Sequence, residues 1–336
     1  MVFFPEDGVS PVQKLQMNTQ EGANTCVVGI KGNFDDAQSA VKSIFTDKAL
    51  EQELAAKGFQ FSSANSINIG RLVPQIVYYF WAYLQAVRMG EIKNGEALNF
   101  TVPTGNFGDI LAGWYAMKMG LPVGHFVCAS NDNKVLYDFF RTGEYNKNRA
   151  FHVTVSPSMD ILISSNLERL LYDMTGGNDA LVASWMKSLN DAGVYTVNAE
   201  VKAKMDELFY GGYCDEQGTK AAIKEMFETE NYLIDPHTAV AVNVYQQYLQ
   251  ETGDLETPAI IASTASPYKF AASVLEALTG ERGQGSEFDK VAELSALTGT
   301  QIPQPIADLQ QKPLRFAQVC NIAGMEMAVL GTLGIQ

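Results

Sequence analysis

Residues 97–114 read ALNFTVPTGNFGDILAGW. The apolar, β-branched run at 97–102 predicts a strand, and the apolar stretch 110–119 predicts a helix. Between them Thr104, Gly105, Asn106, Phe107, Gly108 and Asp109 must turn the chain. Glycines let a backbone aim several N–H groups at one point, and a helix start adds a field that favours an anion. A phosphate suits such a loop. The spacing is neither G-x-G-x-x-G nor G-x-x-x-x-G-K-[ST], so the dinucleotide and P-loop signatures both fail. A plain strand-to-helix turn is the other reading.

Outward from this unit the alternation continues. Strands are predicted at 25–30, 124–129 and 259–262, and helices at 37–45, 71–88, 238–249 and 270–278. Strands alternating with helices imply an α/β chain with a parallel sheet covered on both faces. The helix over 71–88 is apolar nearly throughout its middle and is expected to be buried on more than one face. Between 142 and 230 the pattern changes to periodic segments at 160–174, 180–189, 199–209 and 219–227 with few β-branched runs, which reads as a helical insertion.

Composition narrows the function. A length of 336 residues suggests two domains, and 46% hydrophobic with 18% charged residues describes a chain with an ordinary core. The formal net charge of −14 would repel phosphate backbones and anionic lipid, so neither nucleic acid nor a membrane surface is an expected partner. Cys26, Cys128, Cys214 and Cys320 form no C-x-x-C pair, the pattern of reduced thiols. His125, His152 and His237 are too dispersed for a metal site, and none is expected. No run reaches the roughly 20 apolar residues that span a bilayer, and the opening MVFFPEDGVSP lacks a basic leader, so a cytoplasmic protein is expected.

Three further segments could carry chemistry. Ser66, Asn68 and Arg71 offer a hydroxyl, an amide and a guanidinium around the start of the long helix, either as a phosphate grip or as a cap plus a surface arginine. Residues 263–270, STASPYKF, follow a strand; there Thr264 could meet a ring nitrogen, while Ser266 before Pro267 suits an N-cap. Asp235-Pro236-His237-Thr238 reads as a turn and cap, with a catalytic histidine as the sharper alternative. Gly32-Asn33-Phe34-Asp35-Asp36 nearly repeats the letters of the 104–109 loop, but its two carboxylates occupy the helix start, so it is read as capping only.

Taken together, VFFPEDGVSPVQKLQM, NSINIGRLVPQIVYYF, PTGNFGDILAGW, SPSMDILISSNLERLLYD, DPHTAVAV and STASPYKF resemble the threonine synthases, pyridoxal-phosphate enzymes of the tryptophan-synthase-β-like fold, type II. The resemblance implies a three-layer parallel-sheet fold with a smaller α/β lobe at 1–60, a larger cofactor-binding lobe at 61–140 and 232–336, and the helical insertion at 141–231. It implies pyridoxal 5'-phosphate as cofactor and conversion of O-phospho-L-homoserine and water to L-threonine and phosphate. Carried over by position, Gly105, Asn106, Phe107, Gly108 and Asp109 would cradle the cofactor phosphate, Thr264 would face the pyridine nitrogen, and Ser66, Asn68 and Arg71 would hold the substrate phosphate.

Two departures qualify the resemblance. The family's Schiff-base lysine lies in a Phe-Lys-Asp type motif ahead of the VFFPEDG strand, and no lysine here, including Lys31, Lys134 and Lys269, stands in that context. The chain therefore reads as lacking the family's N-terminal portion and is expected to be inactive alone. Ser266 also stands where many relatives have a histidine. A catalytically silent phosphate-binding remnant, or another lyase of the fold such as a serine or threonine dehydratase, are the competing readings.

Overall fold

The computed structural model describes residues 1–6, 9–32, 34–62 and 65–335. The acidic turn at Asp7 and Gly8, Asn33 of the 32–36 cap and the side chain of Asp35 lie outside the described residues. The chain forms two compact units, residues 1–64 with 284–336, and residues 65–283.

The first unit opens with β1 (Val2–Pro5), α1 (Pro11–Asn18), β2 (Val27–Lys31), α2 (Phe34–Thr46) and α3 (Lys48–Ala56). Helix α1 starts where it does because Ser10 and Gln13 form a reciprocal capping box and Pro11 presets the first turn.

The second unit runs through α4 (Ile69–Met89), β3 (Leu98–Pro103), α5 (Gly108–Lys118), β4 (Val123–Ser130), α6 (Val135–Thr142), β5 (Glu144–Asn146) and α7 (Leu167–Met174). It continues with α8 (Asp179–Asp191), β6 (Val194–Thr196), α9 (Ala199–Leu208), β7 (Phe209–Tyr213), α10 (Glu216–Glu230), α11 (Pro236–Thr252), β8 (Ala259–Ile261) and α12 (Ala271–Thr279). Its main sheet is parallel with strand order β7-β4-β3-β8. Alternate residues of β4 feed opposite layers: Phe126 and Cys128 pack with α5 and α6 side chains, Val127 and Ala129 with Val240 and Val244 of α11. Every residue of β3 is buried, as a strand covered on both faces must be.

The chain then returns to the first unit with α13 (Glu287–Thr298), α14 (Gln304–Ala307), β9 (Val319–Asn321) and α15 (Met325–Leu333). Strand β9 pairs with β2, Gly29 facing Val319 and Ile30 facing Cys320, and Met325 is buried against Ile30 and Ala37. This corrects the assignment of 284–336 to the larger lobe. A three-residue strand reading VCN has no periodicity of its own, and its partner strand alone reveals it.

Two more expectations change. The 141–231 region is not purely helical, because β7 joins the edge of the main sheet and β5 pairs antiparallel with β6. The sequence FYGGY hides β7, since it carries no β-branched residue; a Cβ at Gly211 would sit 2.8 Å from Phe140 Cβ, and one at Gly212 would sit 2.5 Å from Val244 Cγ1. Close packing required glycine where a strand signal would have stood. In α4, Leu72, Tyr79 and Tyr83 are buried, whereas Val73, Val77 and Trp81 are exposed, so this helix is buried along one stripe only. The predicted helix at 160–174 begins only at Leu167, after a 3-10 turn at Pro157–Met159.

Candidate functional site

Strands β3 and β8 are parallel neighbours, with Thr101 opposite Ile261, so Thr104 and Thr264 each follow by three residues at the carboxyl edge of the sheet. That edge is where ligands bind in open α/β sheets. Thr104 is anchored there: its N–H donates to Ala129 O at 2.9 Å and its hydroxyl to Val102 O at 2.7 Å.

The chain next passes through Gly105–Phe107 into α5. Phe107 adopts a left-handed conformation, φ 66°, unusual for a residue with a side chain. Burial holds it, since its ring lies 6.1 Å from Phe140 and 6.3 Å from Phe209. The turn's carbonyls are bound from behind. Ser164 Oγ donates to Gly105 O at 2.7 Å, and Asn166 donates to Asn106 O through its backbone N at 3.1 Å and Nδ2 at 2.9 Å. Gly108 N–H donates to Asn106 Oδ1 at 2.9 Å. Among the described residues the amides of Gly105, Asn106, Phe107 and Asp109 have no acceptor. Several free N–H groups at a helix start form an anion-binding concavity.

Both glycines of the turn are closely covered. A Cβ at Gly105 would lie 2.5 Å from the Ser158 carbonyl oxygen, and one at Gly108 would lie 2.5 Å from Ser66 Cβ and Oγ. Ser66 Oγ accepts from Gln75 Nε2 at 3.0 Å, which leaves its own proton available to donate.

A cleft of about 730 Å³ opens beside the turn, lined among others by Arg71, Gln75, Tyr79, Asp109, Ser263 and Thr264. Of the sequence-predicted residues it brings together Arg71, Asp109 and Thr264. Gly105 to Gly108, Ser66 and Asn68 do not line it. Asn68 is the N-cap of α4, its Oδ1 accepting from Gly70 N at 2.9 Å, so the capping reading holds there. Arg71 is exposed; its backbone N–H donates to Asn68 O at 2.9 Å and its carbonyl accepts from Gln75 Nε2 at 2.8 Å, while its guanidinium makes no hydrogen bond or ion pair among the described residues. Ser266 caps the 3-10 turn Pro267–Phe270, and Asp235 caps α11, as their sequence contexts imply.

Electrostatics distinguish Asp109. Burial pushes its carboxyl group above the ordinary carboxylate range, partly opposed by the hydrogen bond from Tyr79. Tyr79 OH sits 3.1 Å from Asp109 Oδ1 and 2.9 Å from its carbonyl oxygen, and its own ionisation is pushed well up by burial and then by that carboxylate.

Several contributors escaped the sequence reading. Asn166 and Arg169 sit within the string SSNLER, in which an amide and a guanidinium three residues apart at a helix start were the available signal. Arg169 reaches back to Ser66 and Ile67, 103 and 102 residues earlier.

This arrangement, a buried parallel sheet whose strands end on a glycine turn, a helix start and a hydroxyl-bearing segment, defines an α/β protein of the pyridoxal-phosphate fold type II, the fold shared by the solved structures it matches. A threonine synthase from Brucella melitensis, solved with PLP bound, aligns with a TM-score of 0.80 at 36% identity, covering 97% of this chain and 64% of that one. Residues 238–329 match the family model "Threonine synthase, C-terminal". The chain is 42% identical over 280 residues to threonine synthase-like 1 of Macaca fascicularis, covering 83% of this chain and 37% of that protein. It is 38% identical over 298 residues to threonine synthase of Schizosaccharomyces pombe, covering 83% and 56% respectively. Over most of its length the chain is similar to threonine synthases, and it spans less than two thirds of the length of these relatives.

Proposed function

We propose that this chain forms the cofactor- and substrate-binding body of a threonine synthase, which takes pyridoxal 5'-phosphate as cofactor and converts O-phospho-L-homoserine and water to L-threonine and phosphate. One observation carries the reading: the turn of unpaired amides at the start of α5 reaches, through Asp109, the same cleft that Arg71 lines with an unpaired guanidinium. Two anion sites suit a phosphorylated cofactor and a phosphorylated substrate.

The residues present fit the cofactor. An ester phosphate needs several donors, and the amides of Gly105, Asn106, Phe107 and Asp109 supply them at the positive end of α5, with the Asp109 carboxylate the one like charge in the turn. Ser66, expected at the substrate phosphate, lies instead on Gly108 and would add a hydroxyl proton to this turn. Thr264 would offer the pyridine nitrogen a neutral hydroxyl partner. When bound, the cofactor supplies an electron sink that permits loss of the γ-phosphate and addition of water at the β-carbon. Arg71 would hold the substrate phosphate through paired N–H bonds, each worth about 1.5–3 kcal/mol. Asn68 acts indirectly, setting the start of the helix that presents Arg71.

No lysine is among the residues lining the cleft. Lys134 stands over the Tyr213 ring at 4.1 Å instead. The reading therefore extends to activity: this chain by itself binds its ligands and does not turn them over. The four free thiols agree with a cytoplasmic setting.

Titrating pyridoxal 5'-phosphate into the chain and following the cofactor absorbance tests the first site. Arg71→Ala tests the second: affinity for O-phospho-L-homoserine should fall by about ten- to a hundredfold while cofactor affinity holds. Unchanged affinity for the phosphorylated amino acid would remove the substrate assignment.

A further inference from the structure

Asn166 occupies the N-cap position of α7, yet its side chain makes no capping bond to its own helix. An asparagine there ordinarily accepts from the N–H groups of the first turn. Here its Nδ2 donates to Asn106 O, inside the glycine turn, and its Oδ1 accepts from Arg169 Nη1 at 2.9 Å. Asn166 is 1% exposed, so its own end of both bonds is shielded from water. Arg169 in turn donates from Nη1 to Ser66 O at 2.7 Å and from Nη2 to Ile67 O. Its guanidinium has only neutral oxygens as hydrogen-bond acceptors and forms no ion pair among the described residues.

The bridge joins the backbones of the two anion-binding segments. On one side it takes the Asn106 carbonyl, turning the amide edge of the loop the other way. On the other it takes two successive carbonyls, Ser66 and Ile67, just ahead of the helix start that carries Arg71. A planar guanidinium fixes the spacing of two adjacent carbonyls through a preset fork, whereas a lysine ammonium is a point charge on a flexible stem and does not impose that geometry.

We infer that Asn166 and Arg169 are positioning residues that set the geometry of both phosphate sites, Asn166 acting on the cofactor turn and Arg169 on the 66–71 segment. The inference rests on the phosphate reading of these two segments. Neither residue touches a ligand in this account; each acts through backbone carbonyls.

The test measures binding on the full chain by calorimetry, with pyridoxal 5'-phosphate as the first probe and inorganic phosphate, added to the cofactor-saturated protein, as the second. Asn166→Ala should weaken the cofactor about tenfold or more, and Arg169→Met should weaken inorganic phosphate by about as much with cofactor affinity changed far less. Arg169→Lys keeps the charge without the fork and should recover only a minor part of the loss; it also decides the question should Arg169→Met fail to fold. The inference is overturned if Arg169→Lys binds inorganic phosphate as the parent does, if Arg169→Met shifts both probes by one common factor, or if both affinities survive the substitutions. Failure of the underlying site reading looks different: the parent chain would then bind no cofactor, or Arg71→Ala would leave phosphate binding intact.

Discussion

His237 Nε2 accepts the backbone N–H of Ser158 at 3.2 Å, while its Nδ1 lies 2.8 Å from Asp235 Oδ1. The pair is almost fully buried, and Ser158 presents its carbonyl to Gly105. A ring that accepts at Nε2 must carry its proton on Nδ1 and donate it to Asp235. Asp235 is also bound by His237 N at 2.9 Å and by the Thr238 hydroxyl, whose oxygen lies 3.2 Å from Ser263 Oγ beside Thr264. The histidine is thus a brace behind the glycine turn at Gly105.

His237→Ala should cost about 1–3 kcal/mol, because it removes the acceptor of the Ser158 amide and strands one oxygen of the buried Asp235 carboxylate. His237→Gln can return an acceptor near the Nε2 position and should recover part of that loss. Urea denaturation of the two variants checks the order. Equal loss in both would show that the Ser158 contact contributes nothing.

Two glycines give opposite outcomes for the same substitution. Gly105→Ala forces its new methyl against a backbone oxygen at 2.5 Å, so the turn must shift, and both stability and pyridoxal 5'-phosphate affinity should drop. Gly331→Ala, inside α15 with nothing within 4 Å, should stabilise by about 0.4–1 kcal/mol through helix propensity and a less flexible unfolded chain. Thermal melts of both variants decide. A Gly105→Ala protein that melts and binds as the parent does would mean the turn is not closely packed.

Asp109 carries a pH dependence whose sign follows from its raised ionisation. A carboxyl group that ionises later in the folded chain than in the unfolded one favours folding at low pH, and that contribution is lost as pH rises through the folded value. Asp109→Asn, which keeps an acceptor for Tyr79, should therefore raise Tm at pH 7, with the gain vanishing below about pH 4. It should also tighten pyridoxal 5'-phosphate, since a negative charge leaves the anion site. A lower Tm at pH 7 would mean that the attraction of the α5 N-terminus for the carboxylate, about 0.3–1 kcal/mol, outweighs the burial cost.

The glycine turn before α5 was legible because its chemistry is local. Strand, glycines, asparagine and helix start fall within residues 97–119, and each backbone preference is set by near neighbours. The caps at Asn68, Asp235 and Ser266 were legible for the same reason. Arg169 was not: its acceptors are carbonyls at Ser66 and Ile67, and every residue has a carbonyl, so no residue type marks the partner.

The amino-acid order alone settled the alternation of strands and helices, the glycine turn before α5 and the resemblance to the threonine synthases. Periodicity, capping and turn chemistry act over a few residues and need no partner. Tertiary structure decided that FYGGY is an edge strand, that 284–336 completes the β1-β2-β9 sheet, that α4 leaves one apolar stripe exposed, and that Asn166 and Arg169 meet the two anion segments. Those outcomes depend on which distant backbone groups must find partners once water is excluded, and only the assembled fold brings such groups together.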